Sequence, residues 1–141
     1  MMLVQDDIYL EPNVINMKLW VDALESGQYK QGSQLLRFND EYCCLGVACE
    51  VAIKHGVTID TYQDSEGIFN YNEDSELLPG IVAKWLFKIP EGSKVPNNIY
   101  IEDTGEGLEG TYLSATSAND DSELDFSEIA SLVREYYNIP R

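Results

Sequence analysis

The stretch Glu41-Tyr42-Cys43-Cys44-Leu45-Gly46-Val47-Ala48-Cys49-Glu50-Val51-Ala52 constrains the fold more than any other. It is the densest apolar run in the chain and the one place where a strand pattern turns into a helix pattern. From Tyr42 to Leu45 the aromatic, thiol and aliphatic types suit a pleated, half-buried surface. Gly46 interrupts that run. Beyond it, Val47, Ala48, Cys49, Val51, Ala52 and Ile53 leave only Glu50 and Lys54 polar before His55-Gly56, so a helix covered on most sides is predicted, ending at Gly56. Such a helix belongs at the centre of the core.

A chain of 141 residues, 44% of them hydrophobic, is long enough to bury roughly 70% of its unfolded surface without disulfide or metal. One globular domain over residues 1–141 is the simplest reading. The opening Met1-Met2-Leu3-Val4-Gln5-Asp6-Asp7 has neither a positive segment nor an apolar run of signal-peptide length, and nowhere do about 18 apolar residues follow one another. These features predict a soluble, cytoplasmic protein with no membrane partner. Three cysteines, two of them adjacent, fit reduced buried thiols better than a secreted disulfide framework.

Charge is the strongest compositional signal, with 25 acidic against 9 basic residues and a net charge of -16. It is also segregated. No Lys or Arg falls between Lys54 and Lys84, where Asp60, Asp64, Glu66, Glu73, Asp74 and Glu76 stand. None falls between Lys94 and Arg134, where Glu102, Asp103, Glu106, Glu109, Asp120, Asp121, Glu123, Asp125 and Glu128 stand. Acidic loops are therefore expected around 60–76 and 102–125. A nucleic-acid backbone is bound through Lys and Arg that displace counterions, so these segments exclude direct nucleic-acid binding and favour a basic protein surface.

Taken in order, Asn13 opens a helix in which Val14, Met17, Trp20, Val21 and Leu24 recur at helical spacing, and Gly27 stops it. Gln28 to Ser33 is polar, with Gly32 as a turn. Leu35 to Phe38 and Glu41 to Leu45, separated by Asn39-Asp40, read as a hairpin. The helix from Gly46 to His55 follows. Val57-Thr58-Ile59 has strand composition, and Tyr62 to Glu76 reads as a polar, tyrosine-dotted loop. Leu78-Pro79 opens a third helix with Ile81, Val82, Trp85 and Leu86 inward. Ile99-Tyr100-Ile101 and Thr111-Tyr112-Leu113 read as strands joined by a glycine-rich turn. Asp125 with Glu128 three residues on is a capping-box pattern, and Phe126, Ile129, Ala130, Val133 and Tyr136 form the inward face of the last helix. The sum is an α+β class: about four helices around a small antiparallel sheet, with no repeat and no linker.

Motif matches resolve into ordinary chemistry. Gly105-Glu106-Gly107-Leu108-Glu109-Gly110 has the letters of a dinucleotide loop, but a strand pattern follows it and two glutamates inside would repel phosphate, so a hairpin loop and no cofactor are expected. Cys43 and Cys44, on opposite faces of a strand, cannot converge on one zinc, and no second Cys pair exists. Cys49 and His55 lie six positions apart on one helix, roughly 240° round it, too far off-face for a nucleophile and its base. Core thiols are expected instead. Asn119 to Asp125 places oxygens at alternate positions as calcium loops do, but Leu124 and Ala130 stand where such a loop needs Gly and Glu, leaving a solvated loop before a helix cap and no metal. Tyr62, Phe69, Tyr71, Tyr100 and Tyr112 lie in or beside the acidic segments and suit interface anchors.

The words Trp20-x-x-Ala23-Leu24-x-Ser26-Gly27-x-Tyr29-x-Gln31-Gly32, Leu36-Arg37, Tyr42-Cys43-Cys44-Leu45-Gly46-Val47-x-Cys49, Leu78-Pro79-x-x-Val82-x-x-Trp85-Leu86 and Phe126-x-x-Ile129-Ala130 resemble a group of small uncharacterised proteins encoded mainly by bacteriophages and by bacteria carrying phage genes. The group's short Leu-Asn-Asp-x-Gly approach to the last helix is replaced here by Ala118 to Leu124. The resemblance implies a phage-type setting inside a bacterial cell and supplies no reaction. Joined to the charge, it leads to an expected non-enzymatic accessory protein that binds and inhibits a host nucleic-acid-handling or defence protein, of CRISPR or restriction type. Its carboxylates would imitate duplex phosphates, and its interface would be Asp64, Glu66, Glu73, Asp74, Glu102, Asp103, Glu106, Glu109, Asp120, Asp121, Glu123 and Asp125. The alternative is a small-molecule binder sequestering a nucleotide defence signal through Lys30, Gln31, Arg37 and the Gly32 turn. A hydrolase using a carboxylate-bound metal or Cys44 ranks third.

Overall fold

The computed structural model describes residues 10–103, 112–120 and 124–141. Helix α1, Val14–Glu25, begins where the Asn13 side chain accepts the Asn16 N–H at 3.1 Å. It buries Met17, Trp20, Val21 and Leu24, the face that the spacing predicts. The Trp20 indole N–H donates to the Cys44 carbonyl at 2.9 Å, fixing α1 across the first turn of helix α2, Cys44–Lys54. From Cys44 through Ala52 only Glu50 escapes full burial. The expected strand through Leu45 is corrected here: β3 is Glu41–Tyr42, Cys43 is the N-cap, and the helix is already under way at Cys44. Gly46 does not divide strand from helix. It sits in the first helical turns because a Cβ there would overlap the Leu36 carbonyl, which crosses directly over it and also accepts the Cys43 N–H at 3.2 Å.

Strand β2, Arg37–Phe38, pairs antiparallel with β3 around the Asn39-Asp40 turn, as expected, with Asn39 at φ 53. β1, Lys30–Gln31, adds parallel to β3 on the other side, giving the order β1-β3-β2. The polar stretch read as a simple turn thus holds a short strand. The segment read as an acidic loop is largely a hairpin: β4, Thr61–Gln63, pairs antiparallel with β5, Phe69–Tyr71, while Val57 to Ile59 forms no strand. Two further contacts seam this hairpin to β2, an isolated bridge between Phe38 and Ile68 and a hydrogen bond from Asn39 N to Gly67 O at 2.9 Å.

Helix α3, Gly80–Leu86, has Pro79 as N-cap and buries Val82, Ala83 and Leu86, whereas Ile81 is exposed rather than inward. β6, Tyr100–Asp103, pairs antiparallel with β7, Tyr112–Ser114. Helix α4, Ala115–Asp120, replaces the first part of the expected solvated loop. Helix α5, Phe126–Tyr137, opens on a complete capping box between Asp125 and Glu128 and closes at Asn138 in the left-handed region. Phe126, Ile129, Ala130 and Val133 face inward as expected, with Tyr137 deeper than Tyr136. The chain is α+β, with its helices set around small, mainly antiparallel sheets. No helix among the described residues is long and apolar enough to cross a membrane.

Candidate binding surface

Bridge partners in a sheet present their side chains to the same face. Following the pairs Lys30 with Glu41, Glu41 with Phe38, and Phe38 with Ile68 places those residues on one face, joined across the hairpin by Tyr62, whose partner Asn70 shares Ile68's side. The opposite face carries Gln31, Tyr42, Arg37, Phe69 and Tyr71, and it is the one packed on α2.

On that inner face the Arg37 guanidinium lies 3.8 Å from the Phe69 ring centre and 4.8 Å from that of Tyr42. Its Nε donates to the Asn39 carbonyl at 2.6 Å, and one terminal nitrogen lies 3.6 Å from the Glu50 carboxylate. The Tyr71 hydroxyl donates to the same carboxylate at 2.6 Å. Burial, followed by that bond, drives the Tyr71 phenol well above its ordinary range. Tyr29 meets Tyr42 edge-on at 5.2 Å, and Lys54 sits over the Tyr29 ring at 5.4 Å. A cation–aromatic ladder therefore replaces an aliphatic seam between sheet and helix. It buries Tyr71 fully and half-buries Phe69, so neither is an exposed anchor; Tyr62, 55% exposed, still stands out.

The acidic residues fall into separate places. Asp64 turns the β4–β5 hairpin, its carboxylate accepting the N–H groups of Glu66 and Ile68 at 2.9 and 3.0 Å. Glu66 is exposed beside it. Glu73 is exposed at φ 74, in a tight turn where Tyr71 and the half-buried Asp74 exchange backbone hydrogen bonds. The fold thus gathers Asp64 with Glu66, and Glu73 with Asp74, at the two ends of one hairpin. Glu102 and Asp103 belong to β6. Asp120 is no open loop residue: its carboxylate accepts the Gln34 N–H at 2.9 Å and an Asn119 amide N–H at 2.8 Å. The Asn119 amide also donates to the Gly32 carbonyl and accepts from Gln31, which ties α4 to β1. Asp125 caps α5 and is exposed. Glu106, Glu109, Asp121 and Glu123, with the glycine-rich hexapeptide, lie outside the described residues.

Six of the nine basic residues form ion pairs elsewhere. Lys18 pairs with Asp22, Lys88 with Glu11, Lys30 with Glu41, and Arg141 with Glu25. Arg134, 7% exposed, reaches Asp22 and Glu25 at 2.7 and 2.8 Å and donates to the Pro140 carbonyl. Among the described residues, no ion pair involves Asp60, Asp64, Glu66, Glu73, Asp74 or Glu76. The central part of this division is not legible in the sequence because its partners are far apart in the chain: Arg134 meets Glu25 across 109 positions.

The thiols offer no chemistry to solvent. Cys43, Cys44 and Cys49 are all buried, and burial pushes Cys43 up to about 11 and the other two well above their ordinary value. Cys43 and Cys44, expected to point to opposite faces of a strand, are instead cap and first residue of α2. His55, at the far end of that helix, stacks on Trp85 with ring centres 6.3 Å apart. Among the described residues no three His, Cys, Asp or Glu side chains are grouped to hold a metal ion. A cleft of ≈ 270 Å³ opens beside Gly32, Ser33, Leu35, Phe38 and Glu41. It adjoins the Lys30–Gln31 strand of the nucleotide alternative, but Glu41 lines it and Arg37 is spent on the opposite face.

Fold and surface together define a small α+β domain with a sealed thiol-bearing core and an anionic hairpin. Residues 13–137 match a family described as a domain of unknown function, DUF8296, and the chain belongs to that family. Neither curated proteins nor solved structures give a match.

Proposed function

We propose that this chain is a non-catalytic, phage-type accessory protein that binds a host nucleic-acid-handling or defence protein, of CRISPR or restriction type, and blocks it. The β4–β5 hairpin presents the anionic surface that meets the partner's basic nucleic-acid site. The observation that carries the reading is the division of charge: the six cations that form ion pairs meet Glu11, Asp22, Glu25, Glu41 and Glu50, while the carboxylates of 60–76 have no ion-pair partner among the described residues. An anionic patch on a braced hairpin raises the encounter rate with a basic groove and competes with phosphates for it. Asp120 and Asp125 serve mainly as a loop brace and a helix cap, so the hairpin contributes more than they do.

The test uses purified restriction enzymes and CRISPR effectors whose DNA cleavage is followed with and without the protein. Inhibition of at least one is expected, weakening steeply between about 50 and 200 mM salt. It should be lost in a variant combining Asp64→Asn, Glu66→Gln, Glu73→Gln and Asp74→Asn. Inhibition that survives those changes, or no inhibition by the unaltered protein across the panel, contradicts the proposal. The nucleotide-sequestration alternative has weaker support, because an anion entering the Gly32 cleft meets the Glu41 carboxylate.

A further inference from the structure

A partner can approach the anionic hairpin from either face of the sheet, and the side-chain alternation distinguishes the two. One face is occupied by α2 and the Arg37 ladder. The other presents Phe38, 41% exposed, and Tyr62, 55% exposed, with Lys30 and Glu41 on the same side. The cleft beside Gly32, Ser33 and Leu35 opens against Phe38 and Glu41 on this outer side. Its ≈ 270 Å³ falls below the roughly 300 Å³ at which pockets begin to enclose whole small molecules, but it admits one or two aliphatic side chains. A lysine–glutamate ion pair stands at its mouth. Glu41 lines the cleft, and Lys30, which pairs with Glu41 at 3.3 Å, has a side chain 66% exposed. An exposed pair of that kind contributes little, so an incoming cation can displace the lysine.

We infer that the outer sheet face of Phe38, Glu41, Ile68 and Tyr62 is a docking site for a basic peptide segment of a partner protein, with an aliphatic side chain seated in the Gly32–Phe38 cleft. This rests on the anionic-binding reading and adds to it the face, the anchor and the partner's sequence chemistry. Charge complementarity brings the segment to the hairpin, and burial of Phe38 and Tyr62 against its aliphatic groups holds it there. The Lys30–Glu41 pair opens, and Glu41 turns to the arriving Lys or Arg.

The experiment titrates isotope-labelled protein with two synthetic pentapeptides of equal charge, Lys-Leu-Lys-Leu-Lys and Lys-Gly-Lys-Gly-Lys, following backbone amide shifts at low salt. The leucine peptide is expected to bind about tenfold more tightly, a gain set by burying its side chains. The largest shifts should fall on Ser33, Leu35, Phe38, Glu41 and Ile68. Phe38→Ser should erase the leucine advantage while leaving the glycine peptide's weaker binding in place. Tyr62→Ser, on the outer strand, should reduce the advantage independently, so a fold defect in one variant does not decide the matter. Equal affinity for both peptides, or shifts centred on α1 or α5, overturns the docking site and leaves the anionic-surface reading standing. Failure of both peptides to bind at low salt removes both.

Discussion

Carboxylates are used in opposite ways by two regions of this molecule. In the α1–α5 seam, Asp22 and Glu25 converge on the buried Arg134, with Lys18 and Arg141 at the margins, and the charges become part of the packing. In the β4–β5 hairpin, Asp64 is satisfied by backbone N–H groups and Glu66 and Glu73 face solvent. The first region converts negative charge into helix–helix attachment, and the second leaves it at the surface. A net charge of -16 therefore does not describe an evenly anionic exterior. Where a carboxylate sits relative to a distant arginine decides whether it contributes to folding or remains available to a partner.

The largest expected effects lie in the packed half. Trp20→Ala removes a fully buried indole and the donor to the Cys44 carbonyl, and should cost about 3–5 kcal/mol in urea unfolding. Gly46→Ala drives a methyl group into the Leu36 carbonyl and should cost about 3 kcal/mol, since backbone on both sides must move. A cost below about 0.5 kcal/mol would show that the Leu36 carbonyl does not cross α2 there.

Arg134→Met should cost on the order of 2 kcal/mol, below the usual figure for a broken buried pair because its partners stay partly solvated. It also has a pH signature. The Arg134 hydrogen bond, outweighing burial, holds Glu25 below its ordinary value of 4.5. For Asp22, burial raises the pKa, but hydrogen bonds from Lys18 and Arg134 together bring it below its ordinary value. Depressed carboxylates contribute stability that is complete above their unfolded pKa and lost as pH falls through the folded one. The difference in stability between native protein and Arg134→Met should therefore be constant near neutrality and shrink as pH falls below 4.5. A difference that widens in acid would overturn this assignment.

Tyr71→Phe, which removes the hydroxyl donor to Glu50, should cost about 1.5 kcal/mol. The smallest effect marks the contrast most sharply. Glu66→Gln with Glu73→Gln should change stability by less than about 0.5 kcal/mol, since both side chains are exposed. A loss of about 2 kcal/mol there would mean that the hairpin charges are structural after all.

The helical half was readable because its information is local. Met17, Trp20, Val21 and Leu24 repeat at helical spacing, and Asp125 with Glu128 announces the start of α5 from within one turn. The Asn39-Asp40 hairpin was readable for the same reason. What the residues concealed is long-range. Lys30-Gln31 carries no apolar alternation and becomes a strand only because β3 lies beside it. Thr61-Tyr62-Gln63 reads as loop because all three residues stay exposed after pairing with β5. The boundary at Cys43 was misplaced because the need for Gly46 comes from Leu36, the residue just ahead of β2. On the surface, acidity was evident from composition, but Asp120 could not be separated from Asp64 without seeing Gln34 approach it.

Hydrogen–deuterium exchange of the chain alone and in complex with any nucleic-acid-handling protein found to be inhibited under the proposal above separates the two regions. New protection is expected in 37–42 and 61–71, with α1 and α5 exchanging as they do in the free protein. Protection concentrated on α1 and α5, with the hairpin unchanged, would contradict it.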